Sequence, residues 1–422
     1  MERSLPSRIL LKNAFGVILP DLRIGRDLSV YVVEGSIRGI GSPNTFPECA
    51  EIDVSGKLIA PGFINCHTHI EDAAFPELLF STPPGIDVLY APGGRRHRLL
   101  RELDAEQYRS AVSRAAAQML ASGTVMAADF CTGGADAIVA LRSALSSSPI
   151  EWLHFTGHST YPVQSAEALS TNSGDLDPSV MEDIAAALDV ADGFAPVHVN
   201  HTTDAGLRAI LRLVRGTAGK RLATHSAASI EYDELSLRHT GRGEIERATG
   251  ILEPDFLVHL TYADVADLTR VRDAGIGAVM CPRAMACLGR TSPPFLVAVD
   301  LGLMVGLGTD NAMTSTPSML DEMGFCARVQ SASAEARRRS IHASYDACTI
   351  GAARVLGVAD RLGSIEPGKD ATFAVFDMHG DGLQSSTDVI ASLVLRASRA
   401  DVAGVMIRGQ IAYGALALAC AA

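Results

Sequence analysis

The sequence predicts a (β/α)8 barrel with a small composite β-sandwich built from both termini, and three observations lead there. At 422 residues the chain suits one barrel-sized domain with an appendage. Between residues 58 and 310 one pattern recurs eight times: a short apolar, β-branched run, a polar or Gly-rich turn, then a segment with helical spacing. Outside that stretch the short β runs alternate with turns instead.

The eight runs are Leu58–Asn65, Thr124–Phe130, Trp152–Gly157, Phe194–Val199, Arg221–Thr224, Phe256–Leu260, Ile276–Met280 and Leu303–Gly308. Strand-then-helix units in this number close into a parallel barrel. Helix starts are legible between them. Asp104 reads as an N-cap with Gln107 three residues on, and Gly123 closes that helix; Asp177 precedes Pro178 at a first helical position. The flanks carry Arg8–Leu11, Leu28–Val33 and Ser36–Ile40 on one side, Ala371–Phe376, Val402–Ile407 and Gln410–Tyr413 on the other. Each is too short to bury a core alone, so the two should pair into one sandwich. The expected division is 1–60 with 363–422 for the sandwich and 61–362 for the barrel.

Composition narrows the partners. With 36 Lys plus Arg against 48 Asp plus Glu the net charge is −12, which argues against nucleic acid. No apolar run is long enough to span a bilayer, so no membrane association is expected. Lys12 and Asn13 interrupt what would be the apolar core of a signal peptide. The eight cysteines are scattered, with no CxxC pair, and read as reduced thiols. Together these features point to a cytoplasmic protein acting on a small molecule.

Pro61–His69 is the most informative stretch. His67 and His69, at i and i+2, share one face of a strand whose C-terminal end opens into the barrel mouth. His225 closes the fifth run, His259 the sixth, and Asp310 follows the eighth in Gly308-Thr309-Asp310-Asn311. Catalytic groups on this fold collect at those strand ends. Three histidines and an aspartate suit a divalent cation, zinc or iron by ligand type, with manganese also compatible.

With Pro61–His69, Ala128-Asp129-Phe130, Cys281-Pro282-Arg283, Gly308–Asn311 and the exit Gly363–Ala371, nearly the whole chain resembles the amidohydrolase superfamily. It is most similar to the cytosine deaminase and chlorohydrolase-like branch, and within it to archaeal-type metal-dependent hydrolases. The resemblance implies hydrolysis at a carbon bearing nitrogen. Deamination of a nitrogen heterocycle is the first expectation and cleavage of a cyclic or linear amide the alternative. It assigns His67, His69, His225 and Asp310 to one metal ion, zinc before iron or manganese. It makes Asp310 the general base and lets His259 hydrogen-bond the attacking water or the substrate. Two-metal relatives carry a bridging lysine on the fourth strand; Phe194–Asn200 has none, so one ion is expected. Members of the family often form dimers or larger assemblies, so a homo-oligomer is expected too.

One departure stands out. In the deaminase branch the fifth-strand histidine is followed three residues later by a proton-shuttling glutamate, and here His225-Ser226-Ala227-Ala228 places alanine there. His198 and His201, near the end of the fourth strand, are the expected substitutes, while Glu231 and Glu234 read as solvated helix positions. Arg283 and Asn311 are further expected substrate contacts. Glu71 and Asp72 are candidates to orient a ligand histidine, and Gly93–Arg98 reads as a loop able to clamp an anionic group. His158 is a further pocket candidate; His97, His239, His342 and His379 show no partner pattern. A non-catalytic descendant of the fold that binds a metabolite or protein is the rival reading. A full set of metal-binding residues speaks against it.

Overall fold

In the computed structural model, residues 5–82, 89, 93–330 and 333–416 are described. Seven strands precede the barrel: β1 (Arg8–Lys12), β2 (Gly16–Ile18), β3 (Ile24–Gly25), β4 (Ser29–Val33), β5 (Ser36–Gly41), β6 (Ala50–Asp53) and β7 (Lys57–Pro61). The barrel strands are β8 (Phe63–His69), β9 (Thr124–Cys131), β10 (Glu151–Thr156), β11 (Gly193–Phe194), β12 (Arg221–Ser226), β13 (Phe256–His259), β14 (Gly277–Met280), β15 (Val305–Leu307) and β16 (Asp310–Asn311). After them come β17 (Phe373–Asp377), β18 (Val402–Ile407) and β19 (Gln410–Gly414).

The terminal strands make two sheets, β5-β4-β1-β6 and β19-β18-β17-β7-β2-β3. The second mixes the termini, because β17 pairs antiparallel with β7 from Phe373↔Pro61 to Asp377↔Lys57. Alternate residues of both sheets, among them Ile9, Leu11, Val30, Val32, Ile59, Phe373 and Val375, meet in one buried core, as in a sandwich. The expectation of a composite β part is met.

The barrel sheet runs β15-β14-β13-β12-β11-β10-β9-β8-β16. Its two edges, β15 and β16, are separated in sequence only by Gly308 and Thr309, so the sheet closes on itself and the eighth strand is split between both neighbours. A Cβ at Gly308 would fall 2.8 Å from the backbone nitrogen of His67, so glycine is what allows the split strand to press against β8.

Two runs and one loop differ from their expected form. Leu58–Asn65 is two strands rather than one, since the chain leaves the sandwich at Pro61 and enters the barrel at Phe63. At the junction Gly62 lies so close to Val125 that a Cβ would sit 2.3 Å from its Cγ1. The fourth run stops at Phe194, because Pro196 has no N–H for the ladder. Its freed carbonyl accepts from the Thr224 hydroxyl at 2.7 Å instead. The stretch read as a loop around Arg95–Arg98 is a helix, Arg95–Glu102.

Helix Ala105–Ala121 starts on the expected capping box, with Asp104 accepting from the backbone N–H groups of Glu106 and Gln107. Asp177 likewise caps helix Pro178–Val190 through Ser179 N. The helix Val389–Arg396 buries Ile390, Leu393 and Val394 in the same core as Met319, Met323 and Ala327 of helix Met319–Val329, which ties the C-terminal segment to the barrel's outer ring. Among the described residues no helix is long and apolar enough to cross a membrane. Cys49, Cys66, Cys131, Cys281, Cys287, Cys326 and Cys348 are free thiols.

Candidate active site

The side chains singled out at the strand ends converge. The ligating atoms of His67, His69 and His225 lie within 4.8 Å of one another, all three buried. Asp310 Oδ1 stands 3.3 Å from His67 Nε2 and 3.7 Å from His69 Nε2. The ring of His259 is 5.2 Å from that of His225 and 6.0 Å from that of His67.

Backbone hydrogen bonds orient two of the imidazoles. His69 Nδ1 donates to the Phe130 carbonyl at 2.6 Å, and His225 Nδ1 to the Val197 carbonyl at 3.0 Å. Each bond selects the tautomer whose Nε2 lone pair faces the centre. Pro196 contributes to this, since ending the fourth strand early frees the Val197 carbonyl. His67 is 0 % exposed and neither of its ring nitrogens has a hydrogen-bond partner. Orphaned nitrogens are costly in so dry a place, and a cation at the centre would satisfy Nε2.

Burial also sets the charge state. Desolvation pushes His67 down to about 3 and holds His69, His225 and His259 well below 6.5, so all four are neutral with lone pairs available at pH 7. Burial raises Asp310, with His259 opposing the rise. The donor set is therefore three neutral imidazoles and one carboxylate, which fits a single divalent cation with a coordination position left for water. Strand ends carry the strain of this arrangement: Ala227, His259 and Asp310 have φ of 50°, 83° and 58° in the left-handed region.

The centre opens into a cavity of about 720 Å³, partly open to solvent. His69, His225, His259, Asp310 and Asn311 form its floor, and His198, His201, Tyr232, Met285, Leu288 and Arg290 are among the residues of its wall. Ala228 lines it as well.

Other expected roles fall differently. Glu71 and Asp72 orient no histidine. Both bind the buried Arg96, whose guanidinium donates to Asp72 at 2.6 Å and to Glu71 at 2.8 Å, and Asp72 accepts from Asn311 Nδ2 at 2.5 Å. Held between two buried carboxylates, Arg96, although it reaches the cavity, is committed to the protein and is no clamp for an anion. Arg283 is outside the cavity lining. Its guanidinium donates to the Thr316 and Ser318 carbonyls, and its backbone N–H to the buried Glu322, whose carboxyl burial raises to about 7. His158 packs edge-on against Phe194 and Tyr161 and does not reach the cavity. His97, for which no partner pattern was visible, does line it.

Residues 58–412 match the model of the amidohydrolase family. The chain belongs to that family. It is 30 % identical to a putative aminohydrolase of Methanothermobacter thermautotrophicus, over 71 % of this chain and 75 % of that one. A 5-methylthioadenosine/S-adenosylhomocysteine deaminase of Haloarcula marismortui is 25 % identical, over 95 % and 92 % of the two chains. In fold, this amidohydrolase is similar to a mutant atrazine chlorohydrolase of Arthrobacter aurescens complexed with zinc and atraton. The TM-score is 0.82 at 18 % identity, covering 98 % of this chain and 97 % of that chain. The family and the barrel expected from the motifs are thus both met.

Proposed function

We propose that this amidohydrolase deaminates a nitrogen heterocycle, using one zinc ion held by His67, His69, His225 and Asp310. The observation that carries the reading is the convergence of four neutral imidazoles and one buried carboxylate, with His69, His225, His259 and Asp310 on the floor of a single cavity and His67 buried beside them. The named deaminase among its relatives and the zinc in the structural neighbour support the substrate class and the metal. A bound divalent cation supplies the Lewis acidity that makes water nucleophilic near neutral pH.

The protein's own groups do the rest. Asp310, at the centre of the cluster, takes a proton from the attacking water. His259, neutral and on the cavity floor, donates a hydrogen bond to the oxygen as charge develops on it. His198 and His201 face the substrate from the wall. Asn311 shares the floor, and its amide, tethered to Asp72, is held still rather than free to follow the ligand.

The test is metal analysis of the purified protein followed by ammonia release from pterins, purines, pyrimidines and cyclic amides. About one zinc per chain with release from at least one aminated ring supports the reading. Opening of a cyclic amide without deamination of any ring would assign the amidase reaction instead. A protein that binds no zinc and turns over none of the panel would overturn it.

A further inference from the structure

The alanine at position 228 leaves the cavity without the carboxylate that the family resemblance implies there, yet a buried carboxylate stands directly behind the cavity wall. Glu244, the first residue of the short helix Glu244–Arg247, is 0 % exposed. Its Oε1 accepts from His198 Nδ1 at 2.9 Å and its Oε2 from the Ala227 N–H at 2.7 Å. Thus Glu244 bonds the residue next to the vacant position and, through His198, reaches the cavity.

The pair is well held. Arg247, one turn on from Glu244 and 2 % exposed, donates to Asp204 at 2.8 Å, to Asn200 Oδ1 at 3.0 Å and to the Thr202 carbonyl at 3.0 Å. The single turn Glu244–Arg247 therefore grips the segment from His198 to Asp204 at both ends. On the other side, Tyr232 packs against His198 with ring centroids 4.1 Å apart. With Nδ1 committed to Glu244, Nε2 is the nitrogen that His198 presents to the cavity.

We propose that Glu244 is a positioning residue that makes His198 the proton shuttle of the reaction, taking in space the part that position 228 cannot play. This rests on the deaminase reading above. His198 accepts one proton from the adduct through Nε2, and Glu244, bonded to Nδ1, steadies the imidazolium that forms. The carbon–nitrogen bond then breaks with its electron pair on nitrogen, which takes the proton from Nε2 and leaves as ammonia. Of the two protons of the attacking water, one ends on the departing ammonia and the other on the ring nitrogen. The carbon keeps the oxygen as a carbonyl, and His198 and Glu244 return to their starting state.

Two measurements test this in the zinc-loaded protein. In the first, Glu244→Gln and His198→Gln are compared on an aminated heterocycle and on its chloro analogue, whose halide leaves without a proton. Ammonia release should fall about 10²-fold in both variants, the usual worth of a positioned acid or base, with KM within a few-fold. Chloride release should fall less than about threefold. Equal losses on both substrates would show a structural clamp and overturn the proposal. In the second, which needs no substrate, the downfield proton spectrum should contain an imidazole N–H resonance absent from His198→Gln and moved upfield in Glu244→Gln. Its absence from the parent protein overturns the pairing even if ammonia is released. Its presence in a protein that deaminates nothing confines the failure to the deaminase reading.

Discussion

The Thr68 hydroxyl donates to the Asp310 carbonyl at 3.2 Å across a sequence separation of 242 residues. With the register Asp310↔Thr68 and Asn311↔His69, this bond sets the carboxylate beside the two histidines of the first barrel strand. The proposed general base is thus placed by backbone pairing rather than by its own side chain. Asp310→Asn should accordingly leave the barrel intact by circular dichroism while lowering ammonia release by about 10²-fold or more. Unchanged turnover in this variant would remove Asp310 from the role of base.

Gly308 is where the last strand crosses from one neighbour to the other, with the His67 backbone too close for a side chain. In Gly308→Ala the methyl group forces β16 away from β8. Zinc affinity, read by competition with a chromogenic chelator, should drop by at least tenfold, with a smaller effect on thermal stability. An affinity equal to the parent's would mean that the strand absorbs the methyl group without moving the ligands.

Acid should destabilise the metal-free protein through these same histidines. The folded pKa of His67 lies near 3, below the ordinary 6.5, and those of His69, His225 and His259 are lowered too. A depressed histidine contributes fully above pH 6.5, and that contribution is lost as pH falls from 6.5 toward the folded value, because the unfolded chain binds the proton first. At pH 5.5 the shift of His67 alone costs about 1.4 kcal/mol. The urea midpoint of chelator-treated protein should therefore fall between pH 7 and pH 5, and His67→Phe should flatten that slope. A midpoint constant over the interval contradicts the burial-driven shift.

Arg96 lies between the buried Glu71 and Asp72 and pairs with both. Replacing it with methionine strands two carboxylates in a dry site, at a cost of about 3–5 kcal/mol. Denaturant titration should show this loss, and adding Glu71→Gln and Asp72→Asn should recover part of it. If the single variant is as stable as the parent, water reaches these carboxylates and the network is not sealed.

Much of the molecule was legible in local pattern. Alternation and helical spacing located the strands and the Asp104 cap, and the i, i+2 spacing of His67 and His69 put both rings on one side of β8. His225, His259 and Asp310 were visible because each ends an apolar run at the face where this fold collects its chemistry. The shortened fourth strand had a signal too, in Pro196. Helix Arg95–Glu102 could have been suspected from its unbroken run of helix formers, but its charge density reads equally well as a solvated loop.

What local spacing determined by itself, then, was the order of strands and helices and which side chains collect at the strand ends, since a period of two or of 3.6 residues is written in neighbouring letters. Only the tertiary structure decided that Glu244 backs His198, that Arg96 serves Glu71 and Asp72, and that Arg283 turns from the cavity. Each of these depends on which charged groups are brought together out of water. A buried ion takes the partner that packing supplies, and nothing in the spacing of residues 198 and 244 records that they will meet.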